Sequence, residues 1–69
     1  MSKWEEILIE KGFTYNNEEE LYNKSLGFGR KITVSHIVKG LFNIKRGDED
    51  VFDDFVSSLE EFKNIINKL

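Results

Sequence analysis

Apolar positions along this chain change their period twice, and the changes divide it into helix, sheet and helix. Trp4, Ile7 and Leu8 follow i, i+3, i+4 spacing, which predicts a helix over residues 2–12 with those side chains on one face. Ser2 is placed as its N-cap, and Glu5 stands three residues on, as a capping box requires. Gly12 suits the left-handed position after the last turn, and Phe13 is the apolar residue expected just beyond it. Residues 14–20 are polar and turn-prone and read as a connection, or as one that extends into a first strand.

From Leu21 to Lys45 the helical period disappears. Leu21–Leu26 reads as a strand closed by Gly27-Phe28-Gly29, whose glycines tolerate positive φ and mark a hairpin turn. Arg30–His36 alternates polar and apolar residues and is rich in β-branched side chains, the clearest strand pattern here. Ile37-Val38 breaks that alternation and predicts a bulge or strand end. Gly40 falls in the next turn, and Leu41–Lys45 forms a third strand. Ile32, Val34, Phe42 and Ile44 then share one face, while Lys31, Thr33, Ser35, Asn43 and Lys45 share the other.

Beyond Gly47 the pattern reads as helical again. Val51, Phe52, Phe55, Val56, Leu59, Phe62, Ile66 and Leu69 make a broad apolar stripe at helical spacing. Asp48 and its acidic neighbours fall where the positive end of a helix dipole favours them, and Lys63 and Lys68 lie toward the other end. The expectation is one α+β domain over residues 1–69. Its order is helix, three-stranded antiparallel β-meander, helix (αβββα), with both helices on one face of the sheet.

Composition narrows the function classes. A chain of 69 residues has a thin core, and without cysteine it has neither disulfides nor a thiolate metal site. One histidine rules out a His-based metal cluster within a single chain, so no metal or cofactor is expected. The longest apolar run outside the strands is Ile7-Leu8-Ile9, too short to span a bilayer, and no apolar signal core follows Lys3. A cytoplasmic protein without a membrane partner is the expectation.

Charge is sharply partitioned. Residues 1–20 carry a net −4, residues 21–47 a net +6 with no acids, and residues 48–69 a net −5. The plainest account is solubility, with lysines also blunting exposed sheet edges. Two others make it functional. An acidic face on the second helix (Asp50, Asp53, Asp54, Glu60, Glu61) would dock into a basic groove of a partner protein. Alternatively, a basic sheet face and hairpin tip (Phe28, Arg30, Lys31, Lys45, Arg46) would meet phosphates or an acidic protein surface.

Candidate chemistry is sparse. His36 is the natural general-base suspect, yet Ser35 beside it points to the opposite face and no Gly-x-Ser-x-Gly elbow occurs, so a structural or surface role is favoured. Gly27-Phe28-Gly29-Arg30-Lys31 lacks the Lys-Ser/Thr pair and the following helix of a phosphate loop. Asp48–Asp54 lacks the alternating ligands of a calcium loop, and Glu18-Glu19-Glu20 reads as a solvated loop. Trp4 is assigned to the core, and so is Phe28 in preference to an exposed hot spot.

These readings converge on a non-catalytic protein-binding module, a regulator or inhibitor, working as monomer or homodimer. A nucleic-acid binder using the basic sheet face is the alternative. Length, element order and composition resemble small phage accessory proteins, a likeness that carries no residue roles with it. It implies a protein encoded by a phage or mobile element that blocks a host nucleic-acid-binding or defence protein.

Overall fold

A computed structural model describes residues 2–69. Two helices pack on one face of a five-stranded antiparallel sheet. The elements are α1 (Lys3–Glu10), β1 (Thr14–Asn16), β2 (Leu21–Gly27), β3 (Arg30–Val38), β4 (Leu41–Arg46), β5 (Glu49–Phe55) and α2 (Leu59–Asn67). The strands lie in sequence order, each paired with the next, so every connection is a tight hairpin.

The first helix begins and ends as its residues dictate. Glu5 Oε1 accepts hydrogen bonds from the Ser2 backbone N–H (3.1 Å) and the Ser2 hydroxyl (2.8 Å). At the other end Gly12 (φ 94°) donates to Ile9 O and Phe13 N–H donates to Leu8 O, the paired bonds of a Schellman stop. That stop folds Phe13 back against Leu8, and both are buried.

The sheet register sorts the side chains as alternation predicts. Tyr22 lies opposite Val34, Val34 opposite Ile44, and Ile44 opposite Phe52, all toward the helices. Ile32, Val34, Phe42 and Ile44 join Leu8, Phe13, Tyr22, Phe62 and Ile66 in one core. Thr33, Ser35, Asn43 and Lys45 occupy the face that no helix covers. The register shift between His36 and Val38 is the bulge expected at Ile37.

Two expectations are corrected. The sheet has five strands and not three, because Thr14–Asn16 pairs with Leu21–Asn23 and Glu49–Phe55 pairs with β4. The segment after Gly47 is not one helix over 48–69 but strand β5, a short extended link and helix α2. Gly47 (φ 63°) and Asp48 form a two-residue turn that sends the chain back along β4, with Arg46 opposite Glu49. The helix starts ten residues later, where Ser58 Oγ accepts from Glu61 N–H (3.1 Å). Phe52 and Val56 reach the core from extended backbone, and Phe62 and Ile66 reach it from α2.

Candidate functional site

The acidic residues assigned to one helix face do not share it. Asp50 and Asp53 lie on the open face of β5, opposite Lys45 and Asn43, whereas Asp54 is opposite Phe42 on the other face. Glu60 and Glu61 stand in the first turn of α2, where the Glu61 N–H donates to the capping Ser58 hydroxyl and the Glu61 carboxylate accepts from the Ser57 hydroxyl (2.6 Å). The expected acidic helix face is thus an acidic edge strand plus the first turn of a short helix. Acids along an edge strand disfavour pairing with a second copy of the same strand.

The basic set is brought together. Arg46 lies opposite Ile32, Lys45 opposite Thr33, and Gly47 N–H donates to Lys31 O at 2.9 Å. Arg30, Lys31, Lys45 and Arg46 therefore lie toward one end of the sheet but on two faces, Lys31 and Lys45 with Thr33 on the open face and Arg30 and Arg46 with the buried Ile32 on the helix side. The open face itself is mixed in charge, since Lys45 looks across at Asp50 and Asn43 Nδ2 donates to Asp50 Oδ1 (3.1 Å).

Phe28 crowns that end and overturns its assignment to the core. Gly27 and Arg30 pair across a two-residue loop, so Phe28 (φ 53°) and Gly29 (φ 76°) are both left-handed, as a type I′ turn requires. The Phe28 side chain is fully exposed, at 105% of its reference area. A left-handed conformation costs a non-glycine residue roughly 1–2 kcal/mol, and Asn or Gly is the usual occupant of this turn position. The fold therefore gains nothing from phenylalanine at this position.

A second group of side chains meets at the opposite end, between the start of α1 and β1–β3. Trp4 lies at the rim of the core, not within it. Its ring meets Tyr22 edge-on at 5.8 Å, and Trp4, His36 and Phe42 form a triangle with centroids 4.5–5.1 Å apart. Tyr15 lies 5.1 Å from Tyr22. The Tyr22 hydroxyl donates to Glu5 Oε2 at 2.5 Å. That bond, with those from Ser2, lowers the Glu5 pKa from 4.5 to about 2. Burial, reinforced by the same carboxylate, raises the Tyr22 pKa from 10.0 to about 12.

Sequence patterning finds Trp4, Tyr22 and His36 separately but not their meeting, which depends on the angle of α1 across the sheet. The spacing Ser2–Glu5 was the one available signal, and it explained Glu5 only as a cap. A third surface was missed entirely. Val38, Leu41 and Phe55 align across the open face at the Gly40 end, with Val38 and Phe55 well exposed.

Among the described residues no group of three or more His, Cys, Asp or Glu is placed to hold a metal ion, and no helix is long and apolar enough to cross a membrane. The class so defined is a small two-layer α+β domain with helices on one sheet face. Compared with family models, curated proteins and solved structures, the chain matches none, so its function must be argued from its own residues.

Proposed function

We propose that this protein is a non-catalytic binding module of the cytoplasm that engages another protein through the tip of its β2–β3 hairpin. One observation carries the reading: a fully exposed phenylalanine held in a left-handed turn conformation, where a smaller polar residue would fold better. An aromatic ring beside arginines is the composition of an interface anchor. Arg30 and Lys31 follow that anchor directly on β3, which favours an acidic surface around an apolar pocket on the partner. A regulator or inhibitor acts in this way, by occupying a surface its target needs.

The nucleic-acid alternative uses the same basic end, with Phe28 as a stacking platform. Asp48, Glu49 and Asp50 lie directly beside those bases and oppose a phosphate backbone there. The test is capture from a native host lysate by the wild type, Phe28→Asn and Lys31→Glu, each with and without nuclease. A protein captured regardless of nuclease by the wild type, and lost with both variants, is the expected result. Capture that nuclease abolishes, with a salt-sensitive mobility shift removed by Lys31→Glu and Lys45→Glu together, replaces this reading with the alternative. Capture unchanged by Phe28→Asn overturns the role of the hairpin tip.

A further inference from the structure

A cleft of about 340 Å³ opens between the first turn of α1 and the β1–β2 hairpin, lined by Trp4, Glu5, Tyr15, Glu20, Tyr22 and His36 among others. Its volume lies at the small end of ligand sites. Three aromatic side chains and two carboxylates contribute to its walls, and neither lysine nor arginine does. This is separate from the hairpin tip and independent of what that tip binds.

The Glu5 carboxylate is fixed in place and still has capacity. It accepts from the Ser2 N–H, the Ser2 hydroxyl and the Tyr22 hydroxyl, three bonds against about four lone-pair sites. Glu20 supplies the second charge from an unusual backbone. Its φ of 56° makes it, with Phe28, one of two non-glycine residues in the left-handed region among those described. Asn16 holds the turn before it, its Oδ1 accepting from Glu18 N–H (2.9 Å) and Glu19 N–H (3.1 Å). Glycine or asparagine would suit position 20 better for folding alone, so a charged side chain beside the cleft is consistent with a role in binding.

We propose that the cleft between α1 and the β1–β2 hairpin binds an organic cation, specifically the guanidinium of an arginine side chain. Aromatic rings attract a cation through their faces, and a planar guanidinium both stacks on such a ring and donates to a carboxylate. An anion would face Glu5 and Glu20 together. A neutral apolar ligand would partly desolvate both carboxylates and offer no donor to Glu20 or to the remaining lone pair of Glu5. A metal ion would compete with the hydroxyl and backbone donors that already hold Glu5.

Trp4 is the only tryptophan in the chain, so its emission reports on this cleft directly. The probes are methylguanidinium, a short peptide with one arginine, and the same peptide with citrulline, its uncharged isostere. Each is titrated to millimolar concentration with amide NMR as a second readout. Saturable binding of the arginine peptide is expected, weakened roughly tenfold by Glu20→Gln through loss of a charge-assisted bond. Because Glu20 is exposed, circular dichroism of that variant should match the wild type. Binding by methylguanidinium as well means that the site reads the head group alone, while peptide binding without it points to an arginine within a polypeptide. The proposal is overturned by equal binding of the citrulline peptide. It is overturned too by undiminished binding to Glu20→Gln, or by no saturable response in either readout.

Discussion

Phe28 and Glu5 show how a single residue can be understood only against the alternatives to it. At position 28 the alternative is asparagine, which tolerates the left-handed turn that phenylalanine resists. Phe28→Asn should therefore raise stability by about 1 kcal/mol, or roughly 4–8 °C in Tm for a domain of this size. A fall in Tm would mean that Phe28 contributes to packing after all. At position 5 the alternative is protonation. Because the folded state lowers the Glu5 pKa from 4.5 to about 2, its contribution is complete above pH 4.5 and is lost as pH falls toward 2. Tyr22→Phe removes the largest cause of that shift, so acid unfolding followed by Trp4 emission should move to higher pH. The Tyr22 pKa is raised from 10.0 to about 12, so its own contribution is present below pH 10 and is lost as pH rises through that interval. An alkaline limb unchanged in Tyr22→Phe would rule that out.

At the scale of elements, α1 and the β2–β4 meander could be read from the chain because local rules act alone there. Ser2 and Glu5 start the helix, Gly12 stops it, and alternation from Arg30 to His36 admits only a strand. The segment from Val51 to Val56 obeys two rules at once. Its apolar pairs at 51–52 and 55–56 suit a helix, yet valine and phenylalanine also suit an edge strand with aspartates turned to solvent. The decision lies outside the segment, in the Gly47-Asp48 turn and in the unpaired edge of β4 that β5 completes. Gly47→Ala should thus cost about 1 kcal/mol, from backbone strain alone, since no atom lies within 4 Å of where its Cβ would stand. Ser58→Ala should cost about 1 kcal/mol by uncapping α2, and amide exchange should speed up in α2 before β5. A loss of helix signal from residues 49–55 in Ser58→Ala would favour the single helix instead.

At the scale of the whole molecule, nine side chains among the described residues make up the buried core. Stability on the order of 0.05–0.15 kcal/mol per residue gives a chain this short roughly 3–10 kcal/mol in total. Ile44 is fully buried, and Ile44→Ala should cost about 2–5 kcal/mol, a large share of that total, so its thermal transition in calorimetry should fall far below that of the wild type or be lost. A variant that still melts cooperatively near the wild-type temperature would show that the helices pack less closely over Ile44. The same thinness gives the surface its character, because with five strands and two short helices most apolar residues outside the core remain near solvent.

The sequence alone determined which residues turn inward on β3 and β4, that the chain reverses at Gly27-Phe28-Gly29 and at Gly40, and that bases and acids segregate along it. Those properties follow from steric limits on neighbouring residues and from a two-residue period, neither of which needs a distant partner. Only the tertiary structure decided that residues 49–55 form a strand, and that Asp50 of the supposed helix face lies opposite Lys45 of β4. It also decided that Phe28 stands in solvent and that Glu5, Tyr15, Glu20 and Trp4 share a cleft. The strand and the exposed phenylalanine depend on hairpin pairing across two-residue turns, and the cleft on packing of α1 against the sheet, and these free energies exceed the small local preferences that sequence patterns record.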